Sequence, residues 1–130
     1  MLLETIGAKD APPASGGYAQ AVRVSGATEL LFVSGQIPVD LAGAVPESFE
    51  GQCQLVWRNI EAQLRAAGME LRHIVKVTTL LSDRAYAAEN SAIRQRLLAG
   101  LTPALTVIIS GIYDPAWLLE IEVIAAREAE

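Results

Sequence analysis

The pattern of apolar and polar positions changes period several times along this chain. From Ser48 onward, Phe49, Cys53, Val56, Ile60, Leu64 and Ala67 recur at spacings of three and four, which places them on one face of a helix. Glu50, Gln54, Arg58, Glu61 and Arg65 fall largely off that face, as an amphipathic helix requires. Ser48 supplies an N-cap and Gly68 a C-terminal stop. A second helix carries the stripe Tyr86, Asn90, Ile93 and Leu97, with Ser82 or Asp83 as its cap.

Elsewhere the pattern is that of strands. "YAQAVRV" and "LLFVSG", separated by the turn-forming "SGAT", predict a hairpin. "HIVKVTTLLS" is β-branched without helical period, and "ALTVIIS" and "WLLEIEVIAA" close the chain as two more strands. Residues 1–17, rich in Ala, Pro and Gly, read as an arm leading into the fold, and "QIPVDLAGAVPES" reads as a loop. The order is strand pair, helix, strand, helix, two strands. That is an α+β pattern, with both helices on one face of a mixed sheet. At 130 residues without an internal repeat, residues 1–130 form a single domain.

Composition narrows the function. Hydrophobic residues make up 52% of the chain, high for a soluble domain, yet no apolar run reaches the roughly 18–20 residues that span a bilayer. A permanent subunit interface is a natural home for that surplus. The N-terminus lacks a basic region followed by an apolar core, and a reducing cytoplasm is the simplest expectation. Net charge of −5 with no basic run argues against a nucleic-acid partner. With one Cys and one His, neither a disulfide nor a zinc cluster is expected, and no motif for a metal or other cofactor is present.

The candidate chemistry is sparse. In the last strand, alternation puts Leu119, Ile121, Val123 and Ala125 on one face, and Glu120 and Glu122 on the other with Leu118 and Ile124. Two acids on an apolar strand are either solvated and paired, or include a carboxylate poised to hold water and shuttle a proton. Asn90 interrupts an apolar stripe; a loop-stapling amide is the favoured reading and a ligand contact the other. Ser34 and Gly35 end a strand where backbone can approach a ligand closely, and Tyr18 follows two flexible glycines. His73 reads as a surface or boundary residue, and Cys53 as a buried, inert thiol.

"GGYAQAV", "LFVSGQIPVD", "AAGMELRHIVKVTTLLSD", "EN", "TPALTV" and "LEIEVIAA" occur in an order that resembles the RidA/YjgF family, from Gly16 to Arg127. The resemblance implies a chorismate-mutase-like fold assembled as a homotrimer, with small-molecule clefts between subunits; hydropathy and charge leave no membrane or nucleic-acid partner expected. It implies hydrolysis of enamines and imines such as 2-aminoacrylate, with Glu120 handling the attacking water and Tyr18, Ser34 and Asn90 lining the cleft. Deaminases of the family carry an Arg after "P-A" that grips the substrate carboxylate as a fork. Here that position is Leu105, and Val107 stands where a cysteine often follows. Loss of the clamp removes about 2–4 kcal/mol of carboxylate binding. The implied substrate therefore lacks a carboxylate at Leu105, unless Arg23 or Arg127 replaces the fork. A non-catalytic ligand-binding or regulatory trimer is the alternative. Ribonuclease activity, attached to some relatives, is the weakest reading in an acidic chain without a His pair.

Overall fold

The computed structural model describes residues 1–130 and resolves them into two sheets and two helices. Strands β1 (Leu2–Ile6) and β2 (Ala21–Ser25) pair antiparallel as a small separate sheet. Strands β3 (Glu29–Gln36), β4 (Ile74–Leu81), β5 (Ala104–Ile109) and β6 (Leu119–Arg127) form the main sheet in the order β3-β6-β4-β5. β6 runs antiparallel to both neighbours, whereas β4 and β5 are parallel, so the sheet is mixed.

Helix α1 (Phe49–Ala66) forms because its apolar residues fall on one face and its ends are capped. The Ser48 hydroxyl accepts the Gly51 amide at 3.0 Å, and Gly68 just beyond the helix has a φ of +72° that suits glycine. Cys53, Val56, Ile60 and Leu64 are buried against Val77, Leu81, Ile121 and Val123 of the sheet. Polar side chains of the same helix anchor loops. The Gln52 amide nitrogen donates to the Pro46 and Ala116 carbonyls while its oxygen accepts the Leu118 amide, and Asn59 donates to the Ile37 and Val39 carbonyls. Helix α2 (Ala87–Leu97) docks at its start through Tyr86, whose ring stacks on Phe49 at 4.7 Å. The sheet face turned away from the helices leaves Leu30 and Phe32 exposed, at 59% and 70%.

Several expectations need correction. The N-terminal arm is not featureless: Leu2–Ile6 is a strand. The expected hairpin of "YAQAVRV" with "LLFVSG" does not form, because β2 pairs with β1 and β3 pairs with β6. Alternation fixes a strand's faces but not its neighbour. β6 opposes Leu31 and Val33 with Ala125 and Val123, completing a buried row. Asp83 caps a short 3₁₀ turn, Arg84–Tyr86, through the Ala85 amide, and α2 begins only after it.

His73 is buried rather than at the surface, since its Nδ1 accepts the Glu70 amide at 2.9 Å within a 3₁₀ turn. Burial, aided by Arg72, lowers its pKa. The folded chain thus binds the His73 proton more weakly than the unfolded chain, so stability falls as pH drops below about 6.5. Thermal midpoints measured from pH 7.5 to 5.5 should decline, and His73→Asn, which retains an acceptor near the Glu70 amide, should flatten the slope. An unchanged slope would remove His73 as its source.

Candidate functional site

The residues singled out from the sequence fall into two groups on opposite faces of the main sheet. The first is on the open face. Glu120 lies across from Leu80, and its carboxylate sits directly over the β3 backbone. A Cβ built on Gly35 would fall 1.9 Å from Glu120 Oε2 and 2.7 Å from its carboxyl carbon. The space a side chain would fill is occupied by the acid. β3 bulges here, between Val33 and Gln36, which carries Gly35 beneath the carboxylate. Exposed Ser34 is next in the chain, and the Gln36 amide nitrogen donates to its carbonyl at 3.0 Å. Leu31, Phe32, Ser34, Gln36 and Gln63 border a shallow cavity of about 330 Å³ beside them.

The second group lies at the β5 edge. The Ala19 amide donates to the Pro103 carbonyl at 3.0 Å, and Ala19 bridges to Ala104. This fixes Tyr18 beside the start of β5. Its phenol lies 3.3 Å from both the hydroxyl and the amide of Ser15, and these hydrogen bonds draw its pKa down. Tyr18, Ala19, Thr102, Ile6 and Pro13 line a cleft of about 310 Å³. Leu105 is in register with Val77 and packs on the core, while Val107, beside Thr79, is 40% exposed. Both project to the helix side of the sheet, whereas Glu120 projects from the other. One chain therefore does not bring Glu120 and Ser34 together with Tyr18, Leu105 and Val107.

Asn90 belongs to neither group. It is buried between the helices, where its Oδ1 faces the Cys53 thiol at 4.0 Å. It holds no loop; Gln52 and Asn59 do that. Burial pushes the Cys53 thiol up to about 12, so it stays protonated at neutral pH. Of the two arginines considered as a substitute clamp, Arg127 is engaged and Arg23 is exposed in the small sheet. Arg127 binds Glu29 at 2.6 Å and the Gly68 carbonyl at 2.8 Å, and Arg23 faces Glu4 in the small sheet.

One functional-looking residue escaped the sequence reading. Arg94 of α2 is buried, at 4% exposure. It follows Asn90 by four residues, so Asn90, Ile93, Arg94 and Leu97 share one helical face at spacings of three and four. A hollow of about 460 Å³ between Arg65, Met69, Arg72 and Leu101 contains none of these candidates. No three His, Cys, Asp or Glu side chains gather as a metal site would require, and no helix is long and apolar enough to cross a membrane.

This α+β architecture, two helices on a mixed sheet, is shared with solved Rid-family structures. A family model described as Endoribonuclease L-PSP matches residues 8–127, and the chain belongs to this RidA/YjgF family. It is 43% identical to RutC family protein y4sK of Sinorhizobium fredii over 84 residues, 63% of this chain and 64% of that one. It is 38% identical to the 2-iminobutanoate/2-iminopropanoate deaminase of Salmonella typhimurium over 81 residues, 62% of this chain and 61% of that one. Each alignment thus spans just under two thirds of the relative. In fold it is similar to the Rid-family protein YyfB of Yersinia pestis, with a TM-score of 0.84 at 24% identity, covering 98% of this chain and all of that one.

Proposed function

We propose that the chain hydrolyses enamines or imines, using a water positioned by Glu120, in a cleft completed by another copy within a homotrimer. The observation that carries this reading is the Glu120 carboxylate seated over Gly35 on the open face of the sheet. A carboxylate beside exposed backbone can hold a water and accept its proton as the oxygen attacks the C=N carbon. The proton returns to nitrogen, the C–N bond of the resulting carbinolamine breaks, and ammonia leaves a carbonyl product.

The separation of Glu120 from Tyr18 supports an assembled cleft, in which one copy offers Glu120 and Ser34 and its neighbour offers Tyr18, Leu105 and Val107. The exposed Leu30 and Phe32 support an interface on the same sheet face. The name of the Salmonella relative supports the reaction class. Leu105 lies on the core and lends no charge, so the substrate presents no carboxylate to the β5 wall.

Leu105 also favours a second reading, a trimer that binds a small ligand without turning it over. Ribonuclease chemistry finds little footing: the chain carries a net charge of −5, and its single histidine is buried. Ammonia release from a panel of imines lacking a carboxylate tests the proposal, together with light scattering on the same sample. Turnover by a trimer is expected. A stable monomer overturns the shared cleft, and a trimer inert towards every imine leaves the binding-protein reading in its place.

A further inference from the structure

Two exposed arginines, Arg58 and Arg96, border a hollow that takes no part in the hydrolase reading. This cavity of about 180 Å³ lies between the two helices, lined by Gln54, Trp57, Arg58 and Glu61 of α1 and by Arg96 and Leu97 of α2. Gln54, Arg58, Glu61 and Arg65 follow one another at spacings of four, three and four, so they share one face of α1. That face brings Arg58 to the hollow, and the last turn of α2 brings Arg96 to it from the other helix.

An arginine alone at a surface is ordinary; two bordering one cavity without a counter-charge are not. Neither Arg58 nor Arg96 forms an ion pair. The one acid in the lining, Glu61, faces Arg65 at 3.8 Å, and Glu50 outside it accepts one N–H of the Gln54 amide at 3.3 Å. The remaining wall is Trp57, which is 1% exposed and whose indole Nε1–H has no acceptor. Buried donors are ordinarily partnered, so an unpartnered one beside two free guanidiniums is a second, independent sign of a missing acceptor.

We propose that this inter-helix hollow is a binding site for a phosphoryl group, gripped by Arg58 and Arg96. A carboxylate would bring one charge and two oxygens to a pair of guanidiniums. A phosphate monoester brings a charge of about −1.5 to −2 and three terminal oxygens, which balances both arginines and leaves an acceptor for the indole. Arginine forks suit such an oxyanion better than point charges do. The site stands apart from Glu120, which projects from the open face of the sheet while the helices pack on the other. It therefore does not depend on the hydrolase reading. An occupant would tie the middle of α1 to the last turn of α2, so phosphate should also raise the thermal midpoint.

The test follows the indole N–H signals of the two tryptophans by nuclear magnetic resonance, with Trp57→Phe assigning them by deleting one. Inorganic phosphate and glycerol 3-phosphate are each titrated into the full chain at constant ionic strength. The Trp57 signal should move saturably, while that of Trp117, in the loop before β6, stays in place. Arg58→Gln and Arg96→Gln should each weaken binding roughly tenfold, the loss expected of a charged hydrogen bond. Arg23→Gln, which alters an exposed arginine of the small sheet, should leave it unchanged. Both tested arginines are exposed, so the variants should melt like the wild type without phosphate. Tighter binding of the ester supports an organic phosphate as the occupant, and tighter binding of the free ion supports phosphate itself. An unmoved Trp57 signal overturns the proposal. So does binding that survives both substitutions, or an equal response to sodium chloride, which would mark charge screening. A chain that binds phosphate here but hydrolyses no imine loses the hydrolase reading alone.

Discussion

Glu120→Gln is expected to lower the rate of imine hydrolysis by roughly 10²–10⁴-fold, the usual contribution of a positioned acid–base group. Gln has the same shape, so it can lie over Gly35 as the acid does, and the thermal midpoint should barely move. What it lacks is a basic oxygen to take the proton from water. A variant with an undiminished rate would remove Glu120 from the mechanism. Gly35→Ala approaches the same contact from the other side. The added methyl would meet Oε2 at 1.9 Å and Cγ at 3.0 Å, so the flexible end of the glutamate must swing away while the backbone stays put. The carboxylate survives but is displaced by more than an ångström, and a loss of about 100-fold is expected from misplacement alone. Steady-state kinetics beside a melting curve separate the two effects. A large drop in stability with Gly35→Ala would mean that the backbone had yielded instead.

The second large effect concerns the core. Trp57, 1% exposed on α1, contributes one of the largest buried side chains. Trp57→Ala should cost about 3–5 kcal/mol, the usual range for emptying an aromatic core site. Its indole Nε1–H, however, is enclosed without an acceptor. That unpaired donor already weakens the native state, by about 1–3 kcal/mol on the usual scale. Trp57→Phe removes the donor along with some apolar area, so the two terms oppose and a net change within about 1 kcal/mol is expected. Urea unfolding of the three proteins tests this. If Phe proved nearly as damaging as Ala, ring volume would outweigh the unpaired donor at this site.

The parts of the fold that could be read from sequence are those with local causes. The α1 stripe, its Ser48 cap, the Gly68 stop and the alternation of β6 each depend on residues within one element. Strand pairing does not. Nothing within "YAQAVRV" says that its partner is Leu2–Ile6, because that choice depends on what β6 offers to β3 from nearly a hundred residues away. His73 was misread for a similar reason: its burial comes from a 3₁₀ turn whose acceptor is the histidine itself.

At the site, Gly35 and Glu120 were each visible as oddities, but their contact required the bulge in β3. Leu105 was informative as a departure from a motif. Arg94 was overlooked because a charged residue on a helix is ordinarily assigned to solvent. The signal was nonetheless present in its spacing from Asn90 and Ile93, which places it on the stripe that faces inward.

The strand order has a consequence for how the protein is made. β6 follows every other strand of its sheet in the chain, yet it stands between β3 and β4, which do not pair with each other. While the chain leaves the ribosome at about 5–20 residues per second, β3 and β4 must wait with open edges until residues beyond Leu118 emerge. Only then do Leu119, Ile121, Val123 and Ala125 enter the core and close the sheet. Closure of this sheet therefore waits for β6, and a chain stopped before it leaves β3 with no partner and β4 paired only to β5, open edges that invite chaperones or aggregation.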